Sequence, residues 1–387
     1  MSKSALDPLD LFDVRSELNE EEAMVQETVG RFVDDRVIPL MREAFEKHEF
    51  PRHLIGEVAE LGLLGSSIEG YDCAGMNSVS YGLICQELER GDSGLRSFVS
   101  VQSSLVMFPI HAYGSDAQKD RWLPAMARGE AIGCFGLTEP HGGSDPGNMK
   151  THAKRDGDDW IINGSKMWIT NATIADAAVV WAMTDEGVKG FIVEKDMPGF
   201  VTQEIENKFS LRASITGALF FDNVRVPKEN QLGRTGTGHQ AAQDRLGAGR
   251  VYHCMNSIGS MWRAFDLMID RLTTREVHGG EKLEEKQFMQ GFIADSYMDI
   301  QSARLMTIHC AEKMESGADP RTDISAIKIF VPEAYHRVVD RAIQVYGAAG
   351  VSGDLPLAGM YTGARTLRIA DGPDEVHRMV VARRELR

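Results

Sequence analysis

Two short segments hold the side chains best suited to chemistry, Cys134-Phe-Gly-Leu-Thr-Glu-Pro-His-Gly-Gly-Ser-Asp145 and Met167-Trp-Ile-Thr-Asn171. Thr138 and Thr170 offer hydroxyls that can face a ring with alternating donors and acceptors. Trp168 offers an apolar stacking plane, and Gly142-Gly143 lets backbone approach a bulky ligand closely. These are the demands of a tricyclic, half-polar cofactor, and they point to a flavin. Two more clusters stand near the carboxyl end, Gln344-Val-Tyr-Gly347-Ala-Ala-Gly350 and Arg368-Ile-Ala-Asp371-Gly372. The five cysteines (Cys73, Cys85, Cys134, Cys254 and Cys310) are odd in number and irregularly spaced. That pattern fits neither a disulfide framework nor a zinc site, so no metal is expected and buried thiols in a reducing compartment are.

Positioning these groups needs a large scaffold. At 387 residues the chain exceeds what one core fills, so two or three domains are expected. Asn19 followed by Glu22 suggests a capping box, and Val25, Val29, Phe32, Val33 and Val37 repeat at helical spacing. Helical patterning persists to about residue 130, punctuated at Pro51, Gly70–Gly75, Asp92–Gly94 and Gly114-Ser115. Strand patterning follows. Asn163-Gly164 between apolar flanks predicts a two-residue hairpin, and short runs at Ala177–Trp181, Gly190–Val193 and Ala218–Phe221 complete a small antiparallel β-domain. After Gly238 the helical period returns, with breaks near Gly279-Gly280, Gly317–Pro320 and Gly350–Pro356, as in a bundle. The predicted architecture is α+β: helical residues 1–130, a β-domain over 131–238 and a helical bundle over 239–387.

Composition closes off other classes. A formal net charge of −15 with no offsetting basic block disfavours nucleic acid as a partner. No apolar run approaches the ~20 residues of a membrane span. Met1 to Glu22 shows neither an apolar leader core nor an Arg-rich amphipathic pattern, so a cytoplasmic location is expected.

These segments and their order resemble the acyl-CoA dehydrogenase family, which pairs FAD with an acyl-CoA thioester, and the similarity runs through nearly the whole chain. The resemblance implies three domains: amino-terminal helical, middle β and carboxyl-terminal four-helix bundle. It assigns Phe135, Leu137, Thr138, Gly143, Trp168 and Thr170 to FAD, and Ser144 to the CoA arm. Arg275, Gln344, Gly347 and Gly350 match positions that reach the FAD of a neighbouring subunit, which implies a homotetramer built as a dimer of dimers. Ala348 replaces a glycine of that loop, and the Phe-Gly after the family's Arg is displaced here as His278-Gly279.

Hydride loss from a thioester's β-carbon needs simultaneous proton loss from the α-carbon, and therefore a carboxylate aimed at that proton. The family's usual Glu-Gly-Thr turn reads Asp371-Gly372-Pro373 here, so the resemblance makes Asp371 the base, with a reach shorter by one methylene, roughly 1.5 Å. An alternative base position on an earlier helix is Gly249, before Arg250, and cannot serve; Arg250 itself is expected at the substrate. The family's backbone N–H at the base position binds the thioester oxygen, an oxyanion contact worth ~3 kcal/mol. Asp371-Gly-Pro-Asp-Glu-Val-His377 and Arg245–Cys254 resemble one subgroup, often fused to a kinase-like domain.

The amino-terminal half resembles the glutaryl-CoA dehydrogenases, most densely over Glu87–Ser104 and again over Lys208–Thr216. There an Arg, a Glu and a Ser bind the substrate's distal carboxylate, and Arg96, Glu89 and Ser100 occupy those positions. Ser93-Gly94 can start a helix, placing Arg96 in its first turn and Ser100 four residues on along one face. Decarboxylating members carry Tyr beside the base where this chain has Ala370. The implied activity is α,β-dehydrogenation of a short dicarboxylyl-CoA such as glutaryl-CoA, with or without decarboxylation, and electron-transfer flavoprotein as acceptor. Three other readings stay open: a monocarboxylic acyl-CoA dehydrogenase, a flavin oxidase of the same fold, and a degenerate CoA- or flavin-binding protein.

Overall fold

The computed structural model describes residues 18–233, 238–316 and 318–386, without the side chains of 238–248 and 315. Most of Met1–Glu22, Gly317 and the Arg245 end of the Arg245–Cys254 motif thus lie outside the described residues. The chain forms two compact units. One joins Met1–Glu43, Gly82–Asp92 and Arg250–Arg387, and the other joins Ala44–Tyr81 and Ser93–Gly249.

The second unit is built on an eight-stranded sheet. Its strands are β1 (Gly133–Gly136), β2 (His152–Asp156), β3 (Asp159–Thr170), β4 (Ala177–Thr184), β5 (Gly187–Glu194), β6 (Phe200–Glu204), β7 (Thr216–Val226) and β8 (Gln231–Leu232). They run in the order β6-β7-β3-β2-β4-β5-β8, with β1 beside β4. Pairing is mostly antiparallel, and β4 adds parallel contacts to β1 and β2. Alternating apolar residues such as Ile162, Val180, Phe191, Leu219 and Val224 are buried on one face of the sheet. Each contributes about 1.5–3 kcal/mol by leaving water.

The expected hairpin at Asn163-Gly164 is not formed. Both residues lie inside the single strand β3, where the register against β7 shifts between Ile162 and Gly164. Asn163 spends its side chain on Asn223, accepting from that residue's N–H at 2.9 Å. The dipeptide therefore makes a bulge, and the true reversal is Gly157-Asp158, with Gly157 at φ +64°. Local turn chemistry was outweighed by the ladder that β7, distant in sequence, supplies along the whole of β3.

Helices of this unit include α5 (Ser93–Ser100) and α7 (Asp116–Ala127), joined through a π-helical segment, Val101–Met107, and α6 (Phe108–Tyr113). Buried Gln102 donates to the Ala131 carbonyl at 2.8 Å and accepts from the Gly133 N–H at 2.8 Å. That amide fastens the π-helical segment to the start of β1. Ser115 and Gln118 form a capping box at the start of α7.

The first unit contains α1 (Glu20–Phe32), which begins with the expected Asn19/Glu22 capping box. It also holds the long helices α8 (Gly238–Thr274, from Arg250 onward), α9 (Gln287–Glu315) and α10 (Arg321–Tyr346), and the shorter α11 (Leu357–Leu367) and α12 (Asp374–Glu385). Met261, Met268, Ile300, Val331 and Val338 form its fully buried core. The helix Ser78–Gly91, labelled α4, sends its Gly82–Gly91 part into this unit. A Cβ on Gly259 would stand 2.9 Å from the Gln86 backbone oxygen, so the absent side chain lets the two helices touch. Arg263 then donates to the Gly91 carbonyl at 3.0 Å. These contacts divide the helical first third of the sequence between the units, which sequence periodicity could not foresee. Among the described residues no helix is long and apolar enough to cross a membrane.

Candidate active site

Each unit carries some of the candidate residues. In the sheet unit, the Met167 N–H donates to the Thr138 carbonyl at 2.9 Å, which brings the two chemistry-bearing segments together. The register of β3 against β7 shifts again between Lys166 and Ile169, and within that bulge Trp168 takes φ +60°. Its indole is thereby turned outward and left 58 % exposed. A large aromatic held exposed in this way offers a plane on which a ring can stack. Among the described residues the Thr138 and Thr170 hydroxyls have no partner. Gly143 is exposed, and a Cβ there would stand 3.5 Å from the Thr138 methyl. Phe135 is half-buried and meets Trp181 edge-on at 6.2 Å, a packing role.

Beneath this cluster lies an ion pair that sequence reading missed. Lys166 and Glu139 are both buried, 2.9 Å apart. Lys166 also donates to the Leu137 carbonyl at 3.1 Å, while Glu139 accepts from the N–H groups of Lys150 at 2.6 Å and Thr151 at 2.9 Å. Burial opposes the Glu139 charge, but these donors outweigh it and hold the carboxyl down at about 2. Burial pushes the Lys166 ammonium down, against the pull of Glu139. The pair pins both ends of the loop carrying Thr138, Gly143 and exposed Ser144. The available signal was Lys166 itself, a charged residue at an inward position of an otherwise alternating strand.

Arg96 sits in the first turn of α5, as expected, and is 3 % exposed. Its guanidinium donates to the Ser100 hydroxyl at 3.2 Å. Glu89 is buried on α4, in the other unit. The Lys208–Thr216 loop is not simply solvated: Lys208 turns inward to the Ser214 carbonyl and to the Thr216 hydroxyl at 3.0 Å.

In the bundle unit, the turn between α11 and α12 is clamped from several helices. Asp371 adopts φ +57°, and Gly372, at φ +102°, has no room for a Cβ, which would meet His377 Nε2 at 2.8 Å. The Asp371 carbonyl accepts from Arg250 Nε at 2.9 Å and from His377 Nε2 at 3.2 Å. A carbonyl only accepts, so His377 carries its proton on Nε2 and takes the Ser325 hydroxyl, 3.3 Å away, at Nδ1. Burial, helped by Arg250, pushes His377 down to about 4 and keeps it neutral.

The Asp371 side chain is 28 % exposed and meets His253 Nε2 at 2.9 Å. Burial opposes its charge, but His253, Lys328 and Arg250 prevail and hold the carboxyl well below the usual carboxylate range. Lys328 is wholly buried and donates to the Leu367 carbonyl at 2.5 Å. Arg250 thus gives its Nε–H to this turn. Among the described residues nothing accepts the Asp371 N–H, which remains free to serve as an oxyanion donor. His253 and Lys328 were not singled out from sequence. His253 follows Arg250 by three residues and so shares its helix face, a usable signal.

Arg275, Gln344 and Gly347 are exposed. Gly350 is different: it is buried, and a Cβ would stand 2.6 Å from the Ile343 carbonyl, so packing within the chain already requires glycine there. His278 is exposed. All five cysteines are free thiols, and four are buried. Burial pushes Cys134 and Cys254 up to about 12, which makes them inert. Among the described residues no cluster could hold a metal ion.

Three family models match this chain in order: acyl-CoA dehydrogenase, N-terminal domain, over residues 19–130, middle domain over 134–224, and C-terminal domain over 236–386. The mitochondrial short-chain specific acyl-CoA dehydrogenase of Rattus norvegicus is 34% identical over 378 residues, covering 96% of this chain and 91% of that one. The chain belongs to the acyl-CoA dehydrogenase family. A glutaryl-CoA dehydrogenase structure from Mycobacterium smegmatis, in complex with FADH2, is 41% identical with a TM-score of 0.93, covering 98% of this chain and 97% of that one. A structure described as the electron transferring flavoprotein of Acidaminococcus fermentans is 34% identical with a TM-score of 0.90, covering 96% and 99%. Family membership makes the protein an oxidoreductase of CH–CH bonds with a flavin acceptor. The residues present fit that group: an exposed indole plane, two unengaged hydroxyls and an open glycine pair lie along one tied pair of segments.

Proposed function

We propose that this acyl-CoA dehydrogenase acts on a short dicarboxylyl-CoA, with glutaryl-CoA as the type substrate. The observation that supports this most is the near-complete burial of Arg96 beside Ser100 in the first turn of α5. A guanidinium near a helix amino end can take a terminal carboxylate bidentately. The 41% identity to a glutaryl-CoA dehydrogenase favours the same substrate.

The cofactor is FAD, which when bound supplies the acceptor for the β-hydride. Thr138, Trp168 and Thr170 are assigned to its ring end, with Phe135, Leu137 and Gly143 around them. Arg275, Gln344, Gly347 and Gly350 are assigned to the dinucleotide end. Asp371 removes the α-proton, its backbone N–H stabilises the thioester oxygen, Arg250 holds the turn, and Ser144 contacts the CoA arm. Glu89 completes the distal-carboxylate set. A homotetramer, a cytoplasmic location and electron-transfer flavoprotein as acceptor belong to the same proposal, the last favoured by the Acidaminococcus likeness. Ala370, smaller than the Tyr of decarboxylating members, favours release of the unsaturated dicarboxylyl product.

The test is anaerobic titration of FAD-loaded enzyme with glutaryl-CoA, following flavin absorbance and weighing products by mass spectrometry. Bleaching with formation of glutaconyl-CoA is expected. Bleaching with crotonyl-CoA alone overturns the non-decarboxylating version. Bleaching only by a monocarboxylic acyl-CoA overturns the dicarboxylate reading and moves the substrate towards that of the short-chain relative.

A further inference from the structure

We infer that His253 is a positioning residue for the base, holding one oxygen of the Asp371 carboxylate so that the other is presented to substrate. The inference rests on the reading of Asp371 as base and adds to it a residue on a different helix. An aspartate is one methylene shorter than a glutamate and has one fewer rotatable bond with which to reach its proton, so its rate depends more on how its surroundings aim the carboxylate. The structure supplies the aim. Arg250 and His377 fix the Asp371 carbonyl, and His253 Nε2 donates to Oδ2 at 2.9 Å. Oδ1 has no partner among the described residues.

Because a carboxylate accepts, His253 carries a proton on Nε2 in either charge state. Its Nδ1 is buried and has no hydrogen-bond partner among the described residues. A histidine kept at that cost, for one contact to one carboxylate, is explained by orienting that carboxylate. The charged and titratable groups facing Asp371 are Arg250, His253 and Cys254 on α8, Lys328 on α10 and His377 on α12, and Asp374 on α12 acts on Lys328 in turn. Among the described residues, only His253 contacts the Asp371 carboxylate itself.

The step at issue is proton transfer. The α-C–H bond breaks, its proton forms an O–H bond with Asp371, and the electron pair moves to the thioester oxygen as an enolate. In deuterium oxide the reverse step returns a deuteron. A 3-thia-acyl-CoA, which has sulfur in place of the β-carbon and cannot lose hydride there, isolates this step. Deuterium entering its α-position is counted by mass spectrometry, and its affinity is measured by calorimetry.

His253→Leu is expected to slow exchange roughly 10²-fold, the loss that about 1 Å of misplacement causes, with affinity unchanged. His253→Gln, whose amide N–H can replace Nε2–H, is expected to recover exchange to within about tenfold. In H253L the acid limb of exchange against pH shifts to higher pH, because one stabiliser of ionised Asp371 is gone while Arg250 and Lys328 remain. A merely structural histidine would lower melting temperature and leave the rate per folded enzyme and the pH limb in place. That result overturns the inference. If Leu is not accommodated, His253→Asn, too short to reach Oδ2, reads the same loss. Asp371→Asn separates the two claims: persistent exchange in D371N overturns Asp371 as base. Exchange abolished in D371N but unaltered in H253L overturns only the role of His253.

Discussion

Replacing Arg96 with Met removes a charge while keeping an unbranched chain in the same space, and it tests the substrate class directly. Arg96 is 3 % exposed, so water screens its charge little, and its contact with a terminal carboxylate belongs at the strong end of charge-assisted hydrogen bonds, about 3 kcal/mol. At 1.4 kcal/mol per decade that is roughly 10²-fold in kcat/KM for glutaryl-CoA. Butyryl-CoA has no distal carboxylate, and its kcat/KM is expected to change by less than about threefold. The assay is the ratio of the two constants on the same sample of each variant. Partial unfolding of R96M lowers both constants equally and leaves the ratio untouched. Arg96→Lys keeps the charge without the planar fork and is expected to fall between. An R96M ratio equal to that of the unmodified enzyme would falsify the assignment of Arg96 to the distal carboxylate.

Asp371→Asn should lower kcat by about 10²–10⁴, the usual contribution of a general base, as read by steady-state dehydrogenation. Asp371→Glu, although it restores the commoner residue, should also lose about 10²-fold, because the added methylene drives the carboxylate into His253; a gain would refute that packing argument. Glu139→Gln leaves the buried Lys166 ammonium uncompensated and should cost about 3–5 kcal/mol in denaturant unfolding, while E139Q/K166M recovers most of it. A double variant as unstable as E139Q would contradict this. His377 is neutral in the fold at about 4, below the 6.5 of a free histidine, so its contribution is complete above pH 6.5 and is lost as pH falls towards 4. The loss is on the order of 3 kcal/mol, and His377→Gln should flatten the stability–pH curve over that interval.

Much of the candidate site could be named from sequence because it is local. Thr138, Trp168 and Thr170 sit in contiguous segments, Arg96 and Ser100 are one helical turn apart, and the Asn19 capping box closes within four residues. Such features depend on side-chain type and a fixed backbone period, which sequence states directly. Asn163-Gly164 shows where local reading fails: the same dipeptide favours a turn or tolerates a bulge, and the partner strand β7 chose the bulge. Trp168's outward turn depends on that same pairing. The environment of Asp371 lies furthest from sequence reading, since His253, Lys328 and His377 come from three helices and surround one turn only after the bundle packs, His253 at the carboxylate, His377 at the carbonyl and Lys328 through its charge. Sequence by itself determined the chemistry available, namely a carboxylate, two hydroxyls, an indole and a guanidinium. Tertiary structure alone decided which groups lose their water and which charges face one another, because desolvation and Coulomb energy depend on distances in space that chain order does not encode.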